Sequence, residues 1–170
     1  MQSITPFLWF DNSAEEAVHF YVSVFSGSPN PKGESKVVSI KRYPDKGLEG
    51  PMQGFEGKVL TAVFTLAGQT FMGLDGGPYF KPTPATSFYV ECETQEEVDY
   101  FWEKLSSVQE AEQCGWLKDK FGFSWQIIPS VLHKLMSDPD AEKAKRVTHA
   151  MLQMKKFNIA ELERAAEDKS

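Results

Sequence analysis

One piece of local grammar occurs twice in this sequence and limits what the chain can fold into: an apolar strand, then a Ser/Thr-x-x-Glu box, then an amphipathic helix. The first copy runs from Ile4–Phe10 (ITPFLWF) through Ser13-x-x-Glu16 into a helix carrying Ala14, Ala17, Val18, Tyr21 and Phe25 on one face. In such a box the hydroxyl accepts from a free backbone N–H of the first turn, and the Glu side chain reaches back. Gly27 is placed to end this helix in a left-handed cap. The strand is apolar on both faces and reads as buried on both sides. The second copy runs from Thr86–Cys92 (TSFYVEC) through Thr94-x-x-Glu97 to Val98, Phe101, Trp102 and Leu105.

Each copy is followed by further strands. After the first come Lys36–Tyr43, Lys58–Leu66 and Gln69–Leu74. After the second come a short strand near Glu110–Gln113, then Gly115–Lys118 and Ser124–Ile128. Ala67-Gly68 and Lys120-Phe121-Gly122 supply hairpin turns. The chain therefore reads as βαβββ twice, a duplication of architecture rather than of sequence. The expected fold is α+β: one domain over residues 1–170, with a first module at about 1–80, a second at about 81–132 and C-terminal helices over 133–170. In that tail, Ser137-Asp138-Pro139 offers an N-cap followed by proline at the first helical position. Ala144, Val147, Met151 and Met154 share a helical face, and Asn158-x-x-Glu161 can cap a last helix carrying Ile159, Leu162 and Ala166. The Gly- and Pro-rich stretch from Asp45 to Gly57 is a long loop, suited to covering a cleft or a neighbouring chain.

Composition removes several function classes. A net charge of −6 with dispersed basic residues argues against nucleic acid as a main partner. No run approaches the roughly 20 apolar residues that span a bilayer, and no secretory signal is visible, so no membrane partner is expected. Cys92 and Cys114 are the two cysteines, and free thiols of this kind suit a reducing compartment. The expected location is the cytoplasm.

Longer stretches carry a family resemblance. TPFLWFDNSAEEAVHFY, FMGLDGGPYFK, VDYFWEKL, QCGWLKDKFGFSWQIIP and DPDAEKAKRVTHAMLQMKKFNIAELERA resemble the PhnB-like proteins of the glyoxalase/bleomycin-resistance (vicinal oxygen chelate) superfamily, often labelled 3-demethylubiquinone-9 3-methyltransferase-like. The resemblance covers nearly the whole chain. It implies paired βαβββ modules, each an incomplete barrel around a cleft, usually in a homodimer. It does not imply one reaction, because the superfamily holds metal-dependent lyases, epimerases and dioxygenases as well as drug-binding proteins.

Against that pattern the positions where the superfamily places metal ligands are poor in donors. Thr5 or Pro6 stands where a His is usual, Ser87 at the matching place in the second module, Gln126 at the Glu position, and Met72 or Leu74 near the other acidic position. Hydroxyls, amides and apolar groups are weak substitutes for imidazole and carboxylate, so no metal and no other cofactor is expected. His19, His133 and His149 lie in helical stretches and do not repair the set. Methyl transfer finds no G-x-G-x-x-G turn, and Asp75-Gly76-Gly77-Pro78 leads into proline rather than a helix. Cys114 has no basic or histidine neighbour close in sequence to make it a nucleophile.

The informative feature is aromatic content on strands. Strand alternation from the ligand-like positions puts Thr5, Phe7 and Trp9 on one face, Ser87, Tyr89 and Glu91 on another, and Gln126 on a third strand. These seven residues are the candidate ligand-binding cleft, with Ser87, Glu91 and Gln126 as polar fixtures in an apolar pocket. Trp125, opposite Gln126, reads as core. The leading expectation is a metal-free binder of a small, partly apolar molecule, with no catalytic residue identified. The alternative is an enzyme using a cleft carboxylate such as Glu91 as general base. Further behind stand a methyltransferase and a divalent-metal lyase or dioxygenase.

Overall fold

The computed structural model describes residues 4–167. The chain divides into two units, Met1–Pro82 and Thr83–Ser170. The first contains β1 (Phe7–Phe10), α1 (Ala14–Ser26), β2 (Lys36–Arg42), β3 (Val59–Leu66) and β4 (Gln69–Asp75). Its four-stranded sheet has the order β1-β4-β3-β2, with β1 parallel to β4 and the other pairs antiparallel. β3 and β4 are joined by Ala67-Gly68, whose successive positive φ values (49° and 82°) give the turn the twist a two-residue hairpin needs.

Strand alternation sorts this sheet into two faces. Leu8, Phe10, Ala62, Phe64, Leu66 and Phe71 are buried, as are Ala14, Ala17, Val18, Tyr21, Val24 and Phe25 of α1, which packs on the sheet. Each fully buried large side chain contributes roughly 1.5–3 kcal/mol relative to its exposed state. The expected two-sided burial of the first strand is not found: Phe7 is 51% exposed while Leu8 and Phe10 are buried. β1 lies at a sheet edge with a helix over one face, so only its even-numbered residues enter the core.

The helix start also differs from expectation. Ser13 sits at φ −131°, ψ 16°, outside the extended region a capping hydroxyl requires, and makes no side-chain cap bond. The Ala14 N–H instead donates to Asp75 Oδ1 at 2.9 Å. The parallel register sets Asp75 beside Phe10, delivering the carboxylate to the β1–α1 junction. Its second oxygen accepts from the Val59 N–H at 3.2 Å, so one buried carboxylate ties together α1, β3 and β4. The negative charge also complements the positive end of the helix dipole. Gly27 ends α1 at φ −90°, not in the left-handed region, with its N–H donating to the Ser23 carbonyl.

The second unit contains β5 (Ser87–Cys92), α2 (Gln95–Leu105), β6 (Trp116–Lys118), β7 (Ser124–Pro129), α3 (Ser130–Met136), α4 (Ala141–Leu152) and α5 (Ile159–Glu167). Here the capping box forms in full: Thr94 Oγ1 accepts from the Glu97 N–H, and Glu97 accepts from the N–H groups of Thr94 and Glu93. The sheet has three strands in the order β5-β7-β6, parallel then antiparallel. The strand expected near Glu110–Gln113 is absent. A 3-10 turn spans Gln109–Ala111, and a single bridge joins Gln113 to Trp116. The segment lacks β-branched and aromatic residues, and the Ser106 hydroxyl, at 2.6 Å, holds Glu112 in a local bond instead. Both units belong to the α+β class, with two open sheets and helices, as the duplicated grammar implied.

Three helices close the chain. Asp140, rather than Ser137 or Asp138, caps α4, accepting from the N–H groups of Glu142 and Lys143. Ser137 is spent ending α3 through its N–H to the His133 carbonyl, and Asp138 pairs with Lys143. Asn158 Oδ1 accepts from the Glu161 N–H, the expected cap of α5. Leu132, Leu135, Val147, Phe157, Leu162 and Ala166 form a core with Ile128 of β7. Gln95 stitches this layer to α2, donating to the Phe157 carbonyl and accepting from the Ile159 N–H.

Replacing Asp75 by Ala leaves two buried N–H groups unpaired and is expected to lower unfolding stability by about 2–3 kcal/mol. Ser13→Ala, which removes no cap bond, should cost less than about 0.5 kcal/mol. Denaturant unfolding of both variants checks the contrast; equal losses would show that the hydroxyl carries the cap after all.

Candidate functional site

In the first unit, the face of the sheet turned away from α1 carries Phe7 and Trp9 on β1. The register sets Met72 beside Phe7 and Leu74 beside Trp9. Thr5, half-buried, lies just ahead of the strand. Trp9 is half-buried and firmly held. Its indole N–H donates to the Gly77 carbonyl at 2.9 Å, and the Phe80 ring meets it edge-on with centroids 4.9 Å apart. A Cβ on Gly76 would lie 2.2 Å from the Trp9 ring. The Asp75-Gly76-Gly77 turn thus exists to seat this indole, with Asp75 turned inward to the α1 cap.

In the second unit, pairing register places Ser87, Tyr89 and Glu91 of β5, Ser124 and Gln126 of β7, and Trp116 and Lys118 of β6 on one face. Gln126 Nε2 donates to Ser87 Oγ at 2.9 Å, so the amide and the hydroxyl orient each other. Glu91 is exposed, and Tyr89 is 47% exposed with its hydroxyl 2.7 Å from His133 Nε2 on α3. Partial burial, then the nearby charges of Glu91 and Cys92, push the Tyr89 phenol above its ordinary value. Trp125 points the other way and is core, its indole N–H bound to Asp119 Oδ2 at 2.7 Å.

A groove of about 600 Å³ opens in this unit, lined by Val108, Ala111, Cys114, Trp116 and Leu117 with Glu110, Lys118 and Ser124 as polar members. The seven residues expected from sequence therefore divide. Thr5, Phe7 and Trp9 belong to the first sheet; Ser87, Tyr89, Glu91 and Gln126 share a face of the second. The groove wall itself comes from neighbours on the same face, Ser124 and Lys118, which form a row with Ser87, and Trp116, which pairs with Gln126. That row was within reach of the sequence: period two leads from Gln126 to Ser124, and the hairpin at Lys120-Phe121-Gly122 then pairs Ser124 with Lys118.

The positions matching superfamily metal ligands do not fit a divalent cation. Ser87 and Gln126 bind each other, Met72 and Leu74 offer no oxygen or imidazole, and among the described residues no group of three His, Cys, Asp or Glu side chains converges. Nor does the glycine turn fit a nucleotide-type cofactor. It precedes no helix, and the Trp9 ring occupies the space beside Gly76. Among the described residues, no helix is long and apolar enough to cross a membrane.

Comparison with known proteins agrees with this architecture. The structure is similar to that of a protein from Pseudomonas aeruginosa, with a TM-score of 0.56 at 15% identity, covering 76% of this chain and 98% of that one. A genomically encoded fosfomycin resistance protein from Listeria monocytogenes aligns with a TM-score of 0.49 at 13% identity, covering 78% of this chain and 94% of its own. The likeness to the Pseudomonas aeruginosa protein is one of fold. The PhnB protein of Bacillus cereus, which carries a 3-demethylubiquinone-9 3-methyltransferase label, is 42% identical over 76% of this chain and 100% of its own, with a TM-score of 0.59. The profile of the 3-demethylubiquinone-9 3-methyltransferase family matches residues 2–128, and the chain belongs to that PhnB-like family. None of the curated proteins matches it.

Gly76→Ala forces the Trp9 ring from its seat and is expected to cost about 1–3 kcal/mol. Tryptophan emission should shift to the red as the indole loses its Gly77 bond. Unchanged stability and emission would show that Trp9 is not held by this turn.

Proposed function

We propose that this protein binds a small, partly apolar molecule, using the outer faces of its sheets as binding surfaces and no metal ion. The observation that carries the reading is the groove in the second unit: apolar walls including Trp116, Val108 and Ala111, with Lys118, Glu110 and Ser124 as a few polar groups. Sites for small molecules are built in this way, from apolar area for affinity and sparse polar groups for orientation. Ser87, Tyr89, Glu91 and Gln126 extend the same face with polar groups, and Thr5, Phe7 and Trp9 give the first sheet a similar aromatic surface. The family label names a methyltransferase, but among the described residues no strand runs through a glycine-rich turn into a helix in the way a nucleotide-type cofactor site does. With this reading go a homodimeric assembly and a cytoplasmic location, testable by sedimentation and by fractionation.

An amphipathic aromatic fluorophore, 8-anilinonaphthalene-1-sulfonate, is expected to bind the folded protein with micromolar affinity. Trp116→Ala should weaken it about tenfold, the loss of one aromatic contact, while leaving the unfolding midpoint nearly unchanged. Fluorescence titration and thermal unfolding measure the two. Equal binding by native protein and variant would remove the groove as the site.

A further inference from the structure

The groove in the second unit holds one positive charge that its surroundings leave unpaired. Lys118 of β6 lines the groove and is half-buried, and it forms no ion pair with any described carboxylate. The acids close to it in the chain are engaged elsewhere. Asp119 is buried, with Oδ1 accepting from the Phe121 and Phe123 N–H groups and Oδ2 from the Trp125 indole. Glu112 accepts from the Ser106 hydroxyl and pairs with Lys155. Glu110 lines the groove from the 3-10 turn, but it is exposed and makes no ion pair with Lys118.

A second unmet donor stands beside the lysine. Ser124 of β7 is the register partner of Lys118, and both line the groove. Ser124 is only 3% exposed, and among the described residues its hydroxyl has no hydrogen-bond partner. Every fully buried side-chain nitrogen or oxygen of the described residues does have a partner, so this hydroxyl keeps its small exposure toward the groove it lines. A hydroxyl with so little access to water is costly to leave unpaired, and an oxygen atom of a ligand satisfies it.

From this juxtaposition we infer that the groove takes an apolar monocarboxylate, with its head held by Lys118 and Ser124 and its body on Trp116, Val108 and Ala111. The inference rests on the binding reading above and names the ligand class. An ammonium among apolar walls has lost part of its hydration, and charges there attract more strongly than in bulk water. A carboxylate carries two acceptor oxygens and can take the Lys118 N–H and the Ser124 O–H together. Such charge-assisted bonds are roughly twice as strong as neutral ones. A cationic head meets repulsion from Lys118, and a neutral amide accepts without the gain in charge. Glu110 limits the ligand to one negative charge, because a second carboxylate at the rim lies against it.

The test uses three probes with the same two-ring body: 2-naphthylacetate, its amide, and 2-naphthylethylamine, each titrated calorimetrically at neutral pH. The acetate should bind at least about tenfold more tightly than the amide or the amine. Added salt should weaken the acetate and leave the amide unchanged. Lys118→Gln should bring the acetate down to the level of the amide, and Lys118→Arg should restore most of the preference. Ser124→Ala should weaken the acetate about threefold to tenfold. Glu110→Gln should act in the opposite sense, strengthening the acetate. Thermal unfolding of each variant shows that the fold is kept. Equal affinity for acetate and amide, or a preference that survives Lys118→Gln, overturns the carboxylate inference and leaves the binding reading standing. Acetate that does not bind at millimolar concentration overturns it too, and failure of the anilinonaphthalene-sulfonate titration as well removes the binding reading beneath it.

Discussion

The first unit depends on one buried carboxylate. Asp75 is carried to the start of α1 by the parallel pairing of β4 with β1, and it can reach there only if β4 also pairs correctly with β3. Its two oxygens accept from backbone groups 61 and 16 residues away in sequence. A buried anion is costly unless its oxygens are hydrogen-bonded. Misregister of β4 by one residue would turn Asp75 and Phe71 out of the core together and leave the Ala14 and Val59 N–H groups without their acceptor. The bond therefore discriminates against the wrong pairing more than it strengthens the right one. The second unit solves the same helix start locally, with Thr94 and Glu97, and leaves the register of its sheet to Trp125 and its anchor Asp119.

This contrast explains what the sequence could show. Both Ser/Thr-x-x-Glu boxes look alike as text, yet one forms and the other does not. Thr94 has the extended backbone the cap needs, while Ser13 does not, because Asp75 already holds the first turn. A competitor so distant in sequence cannot be seen from a local motif. Strand positions, both hairpin turns and the helical tail were legible because period and turn chemistry are local. The failed strand at Glu110–Gln113 and the displaced cap at Asp140 lie where polar residues have several local partners to choose from.

The candidate site was half legible for a related reason. Alternation put Ser87, Tyr89 and Glu91 on one face of their strand, and the parallel register sets Gln126 beside Tyr89. Alternation says nothing of which row lies under a groove. The 3-10 turn at Gln109–Ala111 helps to shape the groove: Val108, Glu110 and Ala111 line it together with Trp116 and Lys118 of β6. The segment that departs from the duplicated pattern is therefore itself part of the groove wall.

The C-terminal helices add a second consequence. Met154 and Lys155 accept through their carbonyls from the N–H groups of Cys114 and Gly115, at the point where the missing strand would have left the chain unpaired. Cys114 itself takes a left-handed backbone, φ 49°, a strained conformation for a residue with a side chain. A Cβ on Gly115 would strike Phe157 at 2.5 Å and Ile128 at 2.7 Å, so this short stretch is clamped between the helical layer and the sheet. The tail therefore rigidifies one wall of the groove and, through His133, furnishes a polar group on the adjoining face. A relative without these helices could keep the same sheets and bind different molecules, because the wall and the donor pattern would both change while the core stayed the same.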